Sequence, residues 1–149
     1  MKKFSLGFST NWKSFISPTI VATLILIVTL YLFGAQNSMI APFVTISYLH
    51  FINMKNHYAC MVRQLLLYLL IAAASYVAVI SLPLCILVNA SILFLLAFLV
   101  TDEYHPTNYE PMGMALIFFQ TATLSTPKAL GERLLAILVS FGIILLFVA

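Results

Sequence analysis

The chain has 149 residues, of which 63% are hydrophobic and only 7% are charged. So little charge excludes an ordinary soluble domain, in which about 25% of the residues are charged. The scattered basic residues behind the net charge of +3 do not form a nucleic-acid-binding surface. Lipid is the solvent that suits this composition, and we predict an all-α integral membrane protein.

Residues 1–15 form a first segment, distinct from the apolar chain that follows. Phe4, Phe8, Trp12 and Phe15 recur near helical spacing. An amphipathic helix of this kind lies flat at the membrane surface, so we predict an interfacial helix. The alternative is a tail without regular structure whose aromatic rings anchor it.

Residues 16–149 are predicted to form one transmembrane domain of six helices. The first apolar segment is longer than a signal-peptide core and is interpreted as a retained span. Tight loops join several of the segments, so consecutive helices are expected to be antiparallel neighbours. A β-barrel is not predicted, because no segment alternates with a period of two. The predicted spans are about 17–33, 38–53, 59–82, 84–101, 112–126 and 129–148.

The basic residues predict the orientation of the bundle. With the N-terminus in the cytoplasm, five basic residues lie on the inner face and two on the outer face, which follows the positive-inside rule. We therefore predict a multi-pass protein of a bacterial inner membrane with both termini in the cytoplasm. The inner set is Lys2, Lys3, Lys13, Lys55 and Arg63, and the outer set is Lys128 and Arg133.

The loop TDEYHPTNYEP, residues 101–111, contains most of the acid in the chain. Asp102, Glu103 and Glu110 are three of the four acidic residues, and His105 lies among them. Carboxylates with a histidine would suit a hard or borderline cation, but the spacing matches no metal motif. We interpret the loop as a solvated inner connector, with a metal site and a role toward substrate or protons as alternatives. No metal, cofactor or enzyme activity is predicted.

Two carboxamides and several hydroxyls lie inside the predicted spans. They serve either interhelical hydrogen bonds or a polar groove near the membrane midplane. For Asn89 and Gln120 the two interpretations are equally open, because a carboxamide in lipid needs partners. The other polar groups are Thr45, Ser47, His50, Ser91, Thr121 and Thr123.

Arg63 and Arg133 each lie near the start of a predicted span. Such an arginine either extends to the headgroups or supplies a pocket charge that attracts an anion. The candidate substrate-binding residues are therefore Arg63, Asn89, Gln120 and Arg133. Cys60 and Cys85 are expected about a membrane thickness apart, too far for a disulfide.

Three stretches resemble proteins of the fusaric acid resistance (FUSC-like, aromatic acid exporter) family. They are APFVTISYLHFINMKNHYACMVRQLLLYLL, FLVTDEYHPTNYEPMGMALIFFQ and LGERLLAILVSFGIILLF, which together cover roughly residues 40–147. In that family a short basic loop precedes a helix that opens with arginine. A weaker similarity is to the HPP family, but here His105 and Pro106 are followed by Thr107.

The resemblance implies export of small, often aromatic or anionic compounds, coupling to an ion gradient, and two six-span halves per protein. This chain matches one half, which implies a homo-oligomer or a half-transporter. The alternative function is a non-transporting membrane scaffold or partner subunit. An intramembrane enzyme or metal protein centred on His105 is the third and weakest hypothesis.

Overall fold

The structure is a computed structural model that describes residues 12–51, 57–100, 110–122 and 126–148. These residues form helices joined by short turns and contain no strand, which confirms the all-α prediction. The helices are α1 (Trp12–Phe33), α2 (Ala35–Ser38), α3 (Ile40–Phe51), α4 (His57–Ile80), α5 (Leu82–Val100), α6 (Glu110–Thr121) and α7 (Pro127–Val148).

Three of these helices are long and apolar enough to cross a membrane: α4, α5 and α7. The described apolar part of α1, Pro18–Phe33, is shorter. The described parts of α3 and α6 have 12 residues each, and residues 52–56 after α3 and 101–109 before α6 lie outside the description. Each of the six predicted segments thus contains a helix among the described residues, and three of these helices have the length and apolar character of a membrane span.

Two boundaries differ from the prediction. Pro83 does not end the third segment, because the break falls at Ser81 and Pro83 lies in the first turn of α5, where its missing N–H costs nothing. The stretch expected to be a loop between the first two spans contains the short helix α2, and the second segment begins at Ile40, after a turn at Met39. Gly34 separates α1 from α2 with φ of 79°, a conformation that glycine adopts without strain.

Two predicted features lie mainly outside the described residues. The interfacial segment is described only from Trp12, where α1 begins and continues without a break to Phe33. Residues 101–109 of the acidic loop are also outside, and Glu110 is the exposed first residue of α6. The interfacial helix, the solvated connector and its metal alternative therefore stay predictions.

Helices α4 and α7 form the centre of the bundle. α4 packs against α5, α6 and α7, while α7 also packs against α1 and α3. Helix α5 is peripheral, with Leu96 as its buried residue. The expectation that helices joined by tight loops are neighbours holds for α1 and α3 and for α4 and α5. It does not hold for α6 and α7, because α7 packs instead against α1, α3 and α4.

Candidate functional site

Arg133 is enclosed in the bundle, with 1% of its surface exposed. Its Nε donates to the side-chain oxygen of Asn37 at 3.3 Å. Nη1 donates to the carbonyl oxygen of Phe119 at 2.6 Å, and Nη2 to that of Ala122 at 3.0 Å. The guanidinium carbon also lies 5.2 Å from the centre of the Phe119 ring. Arg133 therefore connects α7 with α2 and with the end of α6.

The end of α6 is a favourable place for this charge. The last carbonyls of a helix have no partner within the helix and carry a partial negative charge. Asn37 is held in turn, because its Nδ2 donates to the carbonyl oxygen of Phe33 at 3.0 Å, at the end of α1. All these acceptors are neutral, so among the described residues the hydrogen bonds of Arg133 include no carboxylate.

Arg63 binds a helix end in a similar way but in a different environment. Its Nη2 donates to the carbonyl oxygen of Leu99, in the last turn of α5, while the side chain remains exposed. Leu99 is ten residues beyond Asn89, which is about 15 Å along a helix. Arg63 therefore lies apart from the other three candidate residues.

Asn89 and Gln120 form a reciprocal carboxamide pair between α5 and α6. Nδ2 of Asn89 donates to Oε1 of Gln120 at 3.2 Å, and Nε2 of Gln120 donates to Oδ1 of Asn89 at 2.6 Å. Asn89 also donates to the sulfur of Cys85 at 3.3 Å. Both amides are half-buried, and each supplies what the other lacks, since a carboxamide is both donor and acceptor.

Three of the four candidates converge on the last turn of α6. Arg133 binds the carbonyls of Phe119 and Ala122, on either side of Gln120 in sequence, and Gln120 reaches across to Asn89. The ring of Phe43 packs edge-on against Phe119, with 6.3 Å between centroids. This end of the bundle combines a positive charge, two amides and aromatic rings, which suits a small anion or an aromatic compound.

The hydroxyl groups are mostly satisfied within their own helices, which differs from the interhelical bonding that the sequence suggested. Thr45 donates to the carbonyl of Ala41 at 2.7 Å, and Thr121 to that of Phe118 at 2.8 Å. Threonine and serine commonly bond in this way to the preceding turn. The side chains of His50 and Thr123 lie outside the described residues.

Ser47 is the exception, because it joins two helices. Its hydroxyl lies 3.3 Å from the carbonyl oxygen of Phe43 and 3.2 Å from the hydroxyl of Tyr68, which donates to the same carbonyl at 3.0 Å. This network connects α3 to α4.

Sequence reasoning missed Asn37, Tyr68 and Gln64. Asn37 looked like an ordinary loop residue after Gly34, and nothing near it indicates Arg133, 96 positions away. Gln64 has a buried Oε1 without a hydrogen-bond partner. The polarity of Gln64 within an apolar segment was the one local signal for it.

The remaining expectations concern cysteines and metals. Cys60 and Cys85 are free thiols, as predicted. The part of the chain that the structure describes contains no cluster of three histidine, cysteine or carboxylate side chains suited to a metal ion.

The fold and composition define an α-helical protein of membrane character. No protein-family model, curated protein or solved structure matches the chain. The resemblance to the fusaric acid resistance family therefore stays a prediction.

Proposed function

We propose that this protein is a membrane transporter, or half of one, that exports small aromatic or anionic compounds. The proposal places it in a bacterial inner membrane as a homo-oligomer, with both termini in the cytoplasm. Asn89, Gln120 and Arg133 form the part of the path nearest the outer face, and Arg63 attracts the anion at the inner face.

The observation that carries this proposal is the environment of Arg133. It is buried, and its hydrogen bonds go to an amide and two carbonyls, all neutral. A charged side chain within membrane helices is costly and usually marks an ion or substrate path. A small anion is the ligand that such an unneutralised charge would favour.

Helices α3 and α6 support the same function. Each has a proline in its first turn, Pro42 or Pro111, and the two helices pack against each other. Proline-interrupted segments in matching positions of a membrane chain point to a transport site. We propose that α3 and α6 belong to the second and fifth of six membrane crossings.

A second candidate function is a non-transporting scaffold or partner subunit. The observation that favours it is that the candidate groups bind one another or the backbone. Asn89 pairs with Gln120, and both arginines bind helix ends. Such pairing also occurs in bundles whose polar groups only hold helices together.

Transport of benzoate in sealed inside-out vesicles tests the first function. Gln120→Ala and Arg63→Ala change half-buried or exposed side chains, so both variants should keep normal abundance. Each should lower uptake about tenfold, a change typical of losing a hydrogen bond to a charged group. Ser91→Ala, at an exposed position of α5, is the matched control.

Unchanged uptake in both variants would reject these site assignments. Absence of benzoate uptake by the unaltered protein would reject the aromatic-acid substrate class. Deletion of residues 2–13 tests the scaffold function. Loss of a co-purifying partner with uptake intact would favour that alternative.

A further inference from the structure

Two sets of three helices follow one another along the chain, α1, α3 and α4 and then α5, α6 and α7. We call these two sets the first and second repeats. In the proposed arrangement of six crossings each repeat holds three helices of alternating direction. The second repeat then enters the membrane from the opposite face to the first, as inverted repeats do.

Some prolines and both arginines occupy matching places in the two repeats. Pro42 lies in the first turn of α3 and Pro111 in that of α6, whereas Pro18 is inside α1 and Pro83 is the second residue of α5. Arg63 in α4 and Arg133 in α7 each follow an alanine by four residues.

The packing of the described helices has the same two-fold pattern. Exchanging α1 with α5, α3 with α6 and α4 with α7 turns the α4–α5 pair into α7–α1, and the α4–α6 pair into α7–α3. It also turns α1–α3 into α5–α6, and it leaves the central α4–α7 and α3–α6 pairs in place. The α3–α4 pair is the exception, because its counterpart, α6–α7, is joined by the hydrogen bond from Arg133 to the carbonyl of Phe119 and not by comparable helix packing. A pseudo-two-fold axis between the repeats explains this pattern.

The hydrogen bonds of the two arginines follow the same exchange of helices. Arg63 of the first repeat donates to Leu99 at the end of α5, the first helix of the second repeat. Arg133 of the second repeat donates to Asn37, which binds Phe33 at the end of α1, the first helix of the first repeat. Arg63 therefore binds the end of the first helix in the opposite repeat directly, whereas Arg133 is connected to it through Asn37.

The equivalent arginines differ in exposure. Arg133 is enclosed, with three hydrogen bonds to Asn37, Phe119 and Ala122, whereas Arg63 is exposed with one described hydrogen bond. Where two halves of a molecule share one packing pattern, each half can in principle adopt the arrangement seen in the other, and the two arrangements are then two states of one equilibrium.

We propose that the two repeats exchange conformations, so that Arg63 becomes enclosed when Arg133 becomes exposed. This exchange rests on the proposed transport function and supplies its alternating access. In the described state Arg63 is the exposed arginine and Arg133 the enclosed one. An anion approaching from the inner face meets Arg63 first, and the exchange presents the equivalent Arg133 to the outer face.

Ala59 and Ala129 offer matched positions for a test. Each is the third residue of its helix, α4 or α7, and lies four residues before its arginine, hence on the same helix face. Ala59 is exposed and Ala129 half-buried. Cysteine is introduced at one of these positions at a time, in full-length protein with Cys60 and Cys85 changed to alanine, and its reaction rate with a water-soluble maleimide is measured in nanodiscs.

Asn37→Leu removes the acceptor through which Arg133 holds the opposite repeat. The Ala129→Cys rate should rise about tenfold, the change expected on losing a hydrogen bond to a charged group, while the Ala59→Cys rate falls. Arg133→Lys should produce a smaller shift in the same direction. Arg63→Gln should produce the reverse, and Ser91→Ala no change.

A rise at Ala129 alone, a rise at both positions, or no change at either would overturn the exchange. The first result would make Arg133 an ordinary clamp, and the second would indicate loosening of the whole bundle. Benzoate uptake by the same variants separates the two proposals. If the labelling rates at Ala59→Cys and Ala129→Cys change in opposite directions but benzoate is not taken up, only the transport function is rejected. If benzoate is taken up but the two rates do not change in opposite directions, only the exchange is rejected.

Discussion

At the scale of single residues, Arg133 is a charge that the backbone accommodates. In place of water, its guanidinium donates hydrogen bonds to two carbonyl oxygens at the end of α6 and to the amide oxygen of Asn37. Hydrogen bonds to a charged group are about twice as strong as neutral ones. Removing the guanidinium also leaves the carbonyls of Phe119 and Ala122 without this donor. Arg133 should therefore stabilise the protein more than Arg63 does.

Arg133→Gln should therefore lower the free energy of unfolding by about 2–4 kcal/mol, since buried acceptors are left without donors. Arg63→Gln, the matched change at an exposed position, should cost less than about 1 kcal/mol. Unfolding measured in lipid bicelles compares the two. Equal losses of unfolding free energy in the two variants would contradict the stronger stabilising role assigned to Arg133.

The carboxamide pair is a second interaction at this scale. Asn89 and Gln120 hydrogen-bond to each other between α5 and α6. Within its own helix, Asn89 also has a weak acceptor, the sulfur of Cys85. A change to one amide thus leaves the other in need of a new partner, which costs more than replacing both.

A double-mutant cycle measures this interaction. Asn89→Leu and Gln120→Leu should each destabilise the protein by about 1 kcal/mol, and the double variant by less than their sum. The coupling energy should lie within the range of about 0.6–1.7 kcal/mol seen for hydrogen bonds within membranes. Additive losses would show that the two amides act independently, and Ser91→Ala serves as the control.

At the scale of the helices, Gly113 allows α6 to approach α5. A Cβ atom built at Gly113 would lie 3.3 Å from Cδ2 of Leu93. Leu93 is partly exposed, so its flexible end has room to move by a few tenths of an ångström, although a larger side chain would separate the helices. Gly131 in α7 has no such neighbour within 4 Å.

These surroundings predict opposite effects at the two glycines. Gly131→Ala should stabilise the protein by up to about 1 kcal/mol, because alanine has the higher helix propensity. Gly113→Leu should destabilise it by about 1–3 kcal/mol through overpacking, with Gly113→Ala between the two. Thermal unfolding in one detergent gives the order. A stabilising Gly113→Leu would contradict the close approach of α5 and α6.

At the scale of the whole molecule, the proposed orientation puts the connectors on opposite sides of the membrane. The α4–α5 turn at Ser81, which is exposed, belongs outside, and the loop before α6 belongs inside. This follows from the distribution of lysine and arginine between the loops.

Cysteine labelling in sealed cells tests this orientation. In a background without Cys60 and Cys85, Ser81→Cys should react with an impermeant maleimide added outside. Thr107→Cys should react only after the cells are opened, because its loop faces the cytoplasm. Reaction of Thr107→Cys from outside would invert the orientation and the proposed direction of transport.

Local properties of the chain predicted a helix in each of the six segments, and they predicted the free thiols. Hydrophobic runs and helix breaks are readable over about 20 residues, the length of one span. The same polarity argument selected Asn89 and Gln120, which the structure places in contact. It selected Arg63 and Arg133 equally, because both stand near the start of an apolar segment.

Tertiary structure decided which polar groups meet. Arg133 is enclosed because Asn37 and the end of α6 pack around it, whereas Arg63 lies on the exposed side of α4 and reaches Leu99. The packing of α7 against α1, and the correspondence between the two repeats, likewise depend on helices distant in sequence. Local composition determines which segments form apolar helices. The hydrogen-bond partner of a buried donor depends instead on which distant part of the chain packs beside it.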